Sequence, residues 1–208
     1  MHKSRNDALY AGRRNNQRSG LLARLRARKL TARKTLLYVL AAALLISAQP
    51  APSTFSLGCL IVVLGLMLRI WSFGHLEKNQ EMITSGPFAY TRNPAYLGSS
   101  LVFSGLVLAA GNALTPVGIA IWACGAVGIG LFFTLYLPRK YRKEYSRLAQ
   151  LFPGEYQRHA HHVPDFVPRL TPWQSGSERR FSWALVLLNH ELVWPLTCLV
   201  ALGLMWIQ

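Results

Sequence analysis

A chain of 208 residues that is 51% hydrophobic yet carries a formal charge of +15 is not composed like a soluble globular domain. The two features reconcile when apolar segments lie in lipid and the basic residues gather at a membrane face, so the excess charge is assigned to lipid and not to nucleic acid. The length suits one domain of roughly four or five spans plus a tail.

Residues 1–34 are basic, with Asp7 as their only acid. Leu21, Leu22, Leu25 and Leu30 recur at near-helical spacing among Arg24, Arg26, Arg28 and Lys29. The segment reads either as an amphipathic helix lying on anionic lipid or as a disordered basic tail. Its Arg-rich, acid-poor composition is also that of a transit peptide. The first apolar run, Thr35 to Ala48, is short against the roughly 20 residues that a span needs. After the break at Gln49 to Ser53, a second run goes from Thr54 to about Phe73 and carries Arg69 near its end. A polar insert, His75 to Pro94, comes next. The third run, Ala95 to Ala110, and the fourth, Leu114 to Leu137, are separated by Gly111-Asn112-Ala113 and the helix-entry pair Thr115-Pro116. A polar stretch, 138–180, leads to the last run, Phe181 to Ile207.

No Lys or Arg lies in the turns 49–53 and 111–116. With five spans, the tail, the insert and 138–180 then share one side, which the positive-inside rule makes cytoplasmic. The expectation is an all-α, polytopic helical bundle of about five transmembrane helices with a cytoplasmic N-terminus. Residues 1–34 would form the tail and 35–208 the membrane domain, with the last span at 181–207.

Two polar segments hold most of the candidate chemistry: Arg69 to Asn79 running on into Gly86 to Gly98, and Glu144 onward through Val163 to Arg169. Arg92, between a tyrosine and a proline in a chain-reversing segment, suits a bidentate clamp on a carboxylate or phosphate; a plain positive-inside anchor is the alternative. Pro94 disfavours a helical Asn93 and can open the third helix. Glu144 reads as a base or as a solvated residue pairing with Lys140 or Arg147. Arg69 either snorkels or faces substrate. His75, at the helix exit, is a weaker candidate for cofactor or substrate contact. His159, His161 and His162 lack a completing carboxylate or thiol, and Cys59, Cys124 and Cys198 are far apart in apolar runs, so no metal site is expected. Asn189-His190-Glu191 falls inside the last apolar run. The triplet either lines an acceptor cavity or sits at the interface before a helix that starts near Leu192.

The stretch Gly86-Pro-Phe-Ala-Tyr-Thr-Arg-Asn-Pro-Ala-Tyr-Leu-Gly98 resembles the signature of the isoprenylcysteine carboxyl methyltransferase and phospholipid methyltransferase superfamily. Leu68-Arg-Ile-Trp71, Glu144, Leu148, Phe152, Tyr156 and the segment Val163-Pro to Pro168-Arg also fall where that family has counterparts, so the likeness covers about 57–170. It implies an integral membrane enzyme that moves a methyl group from S-adenosylmethionine to a lipid or lipidated acceptor, a carboxylate being the expected group. It also implies a cofactor pocket built from His75, Gly86, Pro87, Tyr90, Arg92, Asn93, Pro94, Tyr96, Gly98 and Glu144, with Arg92 and Glu144 as the reacting-centre residues. Arg69, His190 and Glu191 are the substrate-side candidates. Two departures stand out: Asn93 where the signature has histidine, and Tyr145 where it has a second glutamate. A titratable base at 93 is thereby lost. The Ala-, Leu- and Arg-rich composition points to a bacterial inner membrane with the site facing the cytoplasm. Alternative readings are an NADPH-dependent membrane reductase like the steroid reductases, which share a similar motif pattern, and a non-catalytic membrane scaffold.

Overall fold

Prolines open most of the helices in this chain, where a missing N–H costs nothing and the fixed φ suits a first helical turn. The structure, a computed structural model, describes residues 35, 38–77, 80–174 and 179–207. Two compact units are distinguished, Met1–Ile46 and Ser47–Gln208. In the first, residues 38–46 are helical, while the expected amphipathic helix in 1–34 lies outside the described residues.

In the second unit, α1 runs Pro52–His75. A 3-10 turn, Gly86–Ala89, leads to α2, Pro94–Ala110. The next helix, α3, is Pro116–Leu131, its first turn capped by the Thr115 hydroxyl, which accepts from the Gly118 N–H at 3.0 Å. A π-helical turn, Phe132–Tyr136, carries it without a break into α4, Leu137–Leu151. The remaining helices are α5 (Pro153–His162), α6 (Trp183–Leu188) and α7 (Val193–Trp206).

Helices α1 and α2 pack antiparallel through two glycine pairs. A Cβ on Gly65 would stand 2.7 Å from the Gly98 carbonyl, and one on Gly58 would stand 2.6 Å from the Gly105 carbonyl. Small residues at that spacing let backbones meet closely, the usual means of helix association in lipid. Val62, Val102 and Cys198 form the buried centre where α1, α2 and α7 converge. Phe55 and Trp206, with ring centroids 4.8 Å apart, close the far end of the α1–α7 contact. Leu60, Leu64 and Met67 on α1, and Ile119 and Val127 on α3, remain exposed, as lipid-facing side chains would be.

The expected five-span bundle is not what the chain builds. The described fold is all-α and without strands, and only Pro52–His75 and the continuous Pro116–Leu151 helix are long and apolar enough to cross a membrane. The third run yields 17 residues, because Gly111 leaves the helix in an extended conformation. The last run is cut by a turn at 189–192 into α6 and a 14-residue α7. Both helices fall short of about 20 residues. The N-inside, C-outside topology that depended on five spans falls with them.

Candidate active site

The polar insert is shaped by its backbone. Gly86 has φ +57, a left-handed conformation that favours glycine, and a Cβ there would meet the His75 imidazole at 2.6 Å. His75 is itself buried, its Nδ1–H donating to the Trp71 carbonyl at 3.0 Å. Pro87 then starts the 3-10 turn, and Pro94 starts α2 with Asn93 as its N-cap.

A strap, residues 163–173, lies along this insert and satisfies its main chain. The Arg92 N–H donates to the Pro164 carbonyl at 2.9 Å, while the Arg169 and Trp173 N–H groups donate to Tyr90 and Ala89, each at 3.0 Å. Thr91, fully buried, shares its hydroxyl proton between the Asp165 and Phe166 carbonyls, both at 3.1 Å. His159 on α5 bonds the Phe88 carbonyl through Nε2 at 2.8 Å. A carbonyl only accepts, so Nε2 carries the proton and the buried Nδ1 is the bare nitrogen. Burial holds the His159 imidazole below its ordinary pKa, and the nearby Arg92 charge pushes the same way against the Phe88 bond.

Within this frame the polar side chains form one knot. Arg92 ion-pairs with Asp165, approaches the Tyr156 hydroxyl at 3.4 Å and lies 4.8 Å over the Tyr145 ring. The Asn93 amide donates to the Tyr145 hydroxyl at 2.7 Å and to the Asp165 carbonyl at 2.9 Å. Tyr145 in turn donates to Asp165 Oδ1 at 2.7 Å. Burial raises the Tyr156 phenol pKa, with Arg92 opposing, so the hydroxyl stays neutral while it accepts from the guanidinium. Tyr141, Glu144 and Tyr145 share one face of α4 by their helical spacing. Tyr141 stacks on Tyr145 at 5.2 Å, and the Tyr96 hydroxyl from α2 donates to Glu144 at 3.4 Å.

Two buried polar atoms in this knot, Arg92 Nε and the Tyr141 hydroxyl, have no hydrogen-bond partner among the described residues. Unpaired groups of this kind are costly unless a ligand meets them. They lie among tyrosine rings whose faces suit a cation. A ligand with both a cationic centre and polar ends, such as S-adenosylmethionine, fits that donor set.

Not every expected residue joins the knot. Gly98 serves the α1–α2 crossing, its missing Cβ leaving room for the Gly65 carbonyl and Arg69. Arg69 is held elsewhere: its Nη2 reaches both Glu191 oxygens, at 2.9 and 2.7 Å, and Nη1 bonds the Ser99 hydroxyl. Trp194 and Phe73 flank the guanidinium at 4.4 and 5.4 Å. His190 is exposed with φ 56 in the turn between α6 and α7, while Asn189 ties that turn to the Leu76 carbonyl at 3.2 Å. The triplet thus precedes a helix starting at Val193, with Glu191 turned inward to Arg69 and buried.

Sequence reading passed over Asp165, Tyr156, His159 and Thr91 as site residues. Asp165 had a readable signal: a single acid between Pro164 and Pro168 in a stretch already quoted for its likeness. Its partner could be found only in three dimensions.

Residues 53–144 match the family model described as phospholipid methyltransferase. The match covers less than half of the chain and supports its membership of this methyltransferase superfamily. The matched segment includes Arg69, His75, all of Gly86 to Gly98 and Glu144. The match supports S-adenosylmethionine as cofactor and methyl transfer as the reaction class. Among curated proteins, the chain is 33% identical over 129 residues to the cobalt-zinc-cadmium resistance protein CzcN of Cupriavidus metallidurans, covering 61% of this chain and 55% of that protein. It is 30% identical over 124 residues to the nickel-cobalt-cadmium resistance protein NccN of Alcaligenes xylosoxydans xylosoxydans, covering 59% and 53%. The chain therefore spans about half the length of these relatives. No solved structure matches it.

Proposed function

We propose that this protein is a membrane methyltransferase that moves a methyl group from S-adenosylmethionine to a lipid or lipidated acceptor, a carboxylate being the favoured group. The observation that carries the reading is the Arg92–Asn93–Tyr145–Asp165 knot, with its two unpartnered donors, next to helices long and apolar enough for lipid.

When bound, the cofactor supplies an electrophilic methyl on a sulfonium. That chemistry asks the chain to orient the two partners and to exclude water. Arg92 would hold the anionic end of the cofactor through its fork of donors, and the tyrosine rings around it would suit its cationic centre. Glu144, kept in place by Tyr96, adds negative potential near the cationic centre. A carboxylate acceptor needs no proton removed, and the residues support it. Asn93 cannot act as a base, and His159, although its Nδ1 is bare, is buried with its Nε2 bonded to the Phe88 carbonyl. Arg69 is charge-paired by Glu191, so we assign it to packing and not to substrate. Because Arg139, Lys140, Arg142, Lys143 and Arg147 lie on the helix that carries Glu144, we place this end of the molecule on the cytoplasmic face, in a bacterial inner membrane.

The two relatives are named for resistance to metals. That property is theirs, and the methyl-transfer reading of this chain rests on the family match. The test is incubation of the purified protein with membrane lipid extract and methyl-labelled S-adenosylmethionine. Labelled lipid whose label is released by mild alkali is the expected product; alkali-stable label would identify an amine acceptor. Calorimetric binding of NADPH, with none of S-adenosylmethionine or S-adenosylhomocysteine, would replace the reading with a reductase.

A further inference from the structure

We propose that Asp165 binds the α-ammonium group of the cofactor while Arg92 takes the adjacent α-carboxylate, so that the ion pair between them is the mould of an amino-acid zwitterion. The proposal rests on the methyltransferase reading above and names the residue that gives this site its preference for an amino-acid cofactor.

Four observations lead to it. First, the pair is open on one side: the Asp165 side chain is 45% exposed and that of Arg92 15%. Second, Asp165 spends only one oxygen on the knot. Oδ1 takes both Arg92 and the Tyr145 hydroxyl, and Oδ2 accepts no hydrogen bond among the described residues. Third, the backbone of Asp165 is fixed, because its carbonyl accepts from the Asn93 amide at 2.9 Å and from Thr91 at 3.1 Å. A carboxylate on so fixed a mount is preorganised for an incoming cation. Fourth, Arg92 retains a buried Nε with no partner, so its capacity for an anion is not exhausted by Asp165.

A carboxylate and a guanidinium held side by side match a ligand whose ammonium and carboxylate sit on one carbon. A simple anion placed on Arg92 would face the Asp165 charge and be repelled, so the pair selects for a zwitterion over a monoanion. Tyr145 sharpens this by donating to Oδ1, which leaves Oδ2 to accept from a ligand.

The experiment measures calorimetric affinity of the full chain in detergent for S-adenosylhomocysteine and for its deamino analogue, which keeps the carboxylate and lacks the amine. The wild-type protein should prefer the amine-bearing ligand by roughly 10- to 100-fold, the range for a hydrogen bond between charged groups. In D165N that preference should shrink to about twofold through a loss confined to S-adenosylhomocysteine, and D165E should restore part of it. Equal weakening of both ligands by D165N would overturn the proposal, because Asp165 would then act only by shaping the strap. So would a gain for both, which would make Asp165 a competitor for Arg92. If the wild-type chain binds neither ligand, the methyltransferase reading itself fails.

Discussion

Two arginines in this protein are each paired with one acid, and their surroundings give them opposite uses. Arg69 and Glu191 expose only 8% and 6% of their side chains and join α1 to the turn before α7. Arg92 and Asp165 expose 15% and 45% and lie in a bed of tyrosines; both guanidiniums keep a buried Nε without a partner among the described residues, so exposure is what sets the pairs apart. The first pair has lost almost all its water and makes up for it with a bidentate contact, Ser99 and two aromatic faces. Such a pair is expensive to break, because the survivor is a buried charge with no counterpart. The second pair keeps access to solvent, so exchanging its internal contact for a ligand costs far less. Burial, more than residue type, separates a structural arginine from a binding one here.

The largest effect should come from breaking the closed pair. Glu191→Ala strands the Arg69 charge in an apolar setting and should cost about 3–5 kcal/mol of stability, read as a large fall in melting temperature in detergent. The double variant Arg69→Met with Glu191→Leu removes both charges and should recover most of that loss. If Glu191→Ala instead melted like the wild type while losing turnover, Arg69 and Glu191 would belong to the acceptor site and the contrast would collapse.

A smaller and opposite pattern is expected at the open pair. Arg92→Lys keeps the charge but loses the planar fork, so affinity for S-adenosylhomocysteine should fall by roughly 10- to 100-fold. Stability should move by less than about 1 kcal/mol, as befits a partly exposed pair. A large drop in melting temperature without a change in affinity would make Arg92 a second structural arginine.

This contrast marks how far the chain could be read before its fold was known. Arg92, Asn93 and Tyr96 could be picked out as candidates because they lie in one contiguous polar motif, and Glu144 only through the family resemblance; the structure brings Tyr96 to Glu144 and Asn93 to Tyr145. The two positions that depart from the family signature, Asn93 and Tyr145, touch each other at 2.7 Å, a relation that neither position shows alone. Asp165 and Glu191 were not readable as partners because they stand 73 and 122 residues from the arginines they meet. Helix count was misjudged for a different reason. Apolar runs were measured by composition, but Gly111 and the turn at 189–192 end helices inside or beside such runs.

The smallest effect expected is pH-dependent, and it tests how firmly the open site is mounted. His159 has its pKa lowered by burial, so the folded protein binds fewer protons there than the unfolded chain does. Its contribution to stability is therefore complete above the ordinary histidine value near 6.5, and it is lost as pH falls from there toward the lowered folded value. Protonation would also place a second positive charge beside Arg92 and give the bare Nδ1 a proton with no acceptor. His159→Gln can still donate an amide N–H to the Phe88 carbonyl, yet it does not titrate. Melting temperatures of the two proteins should run parallel above neutral pH and diverge below it, with the wild type falling faster. Affinity for S-adenosylhomocysteine should follow the same divergence, since the Phe88 carbonyl belongs to the turn that leads into Arg92. Identical acid profiles for the two proteins would mean that α5 does not brace the site through His159, leaving the strap at 163–173 to do so alone.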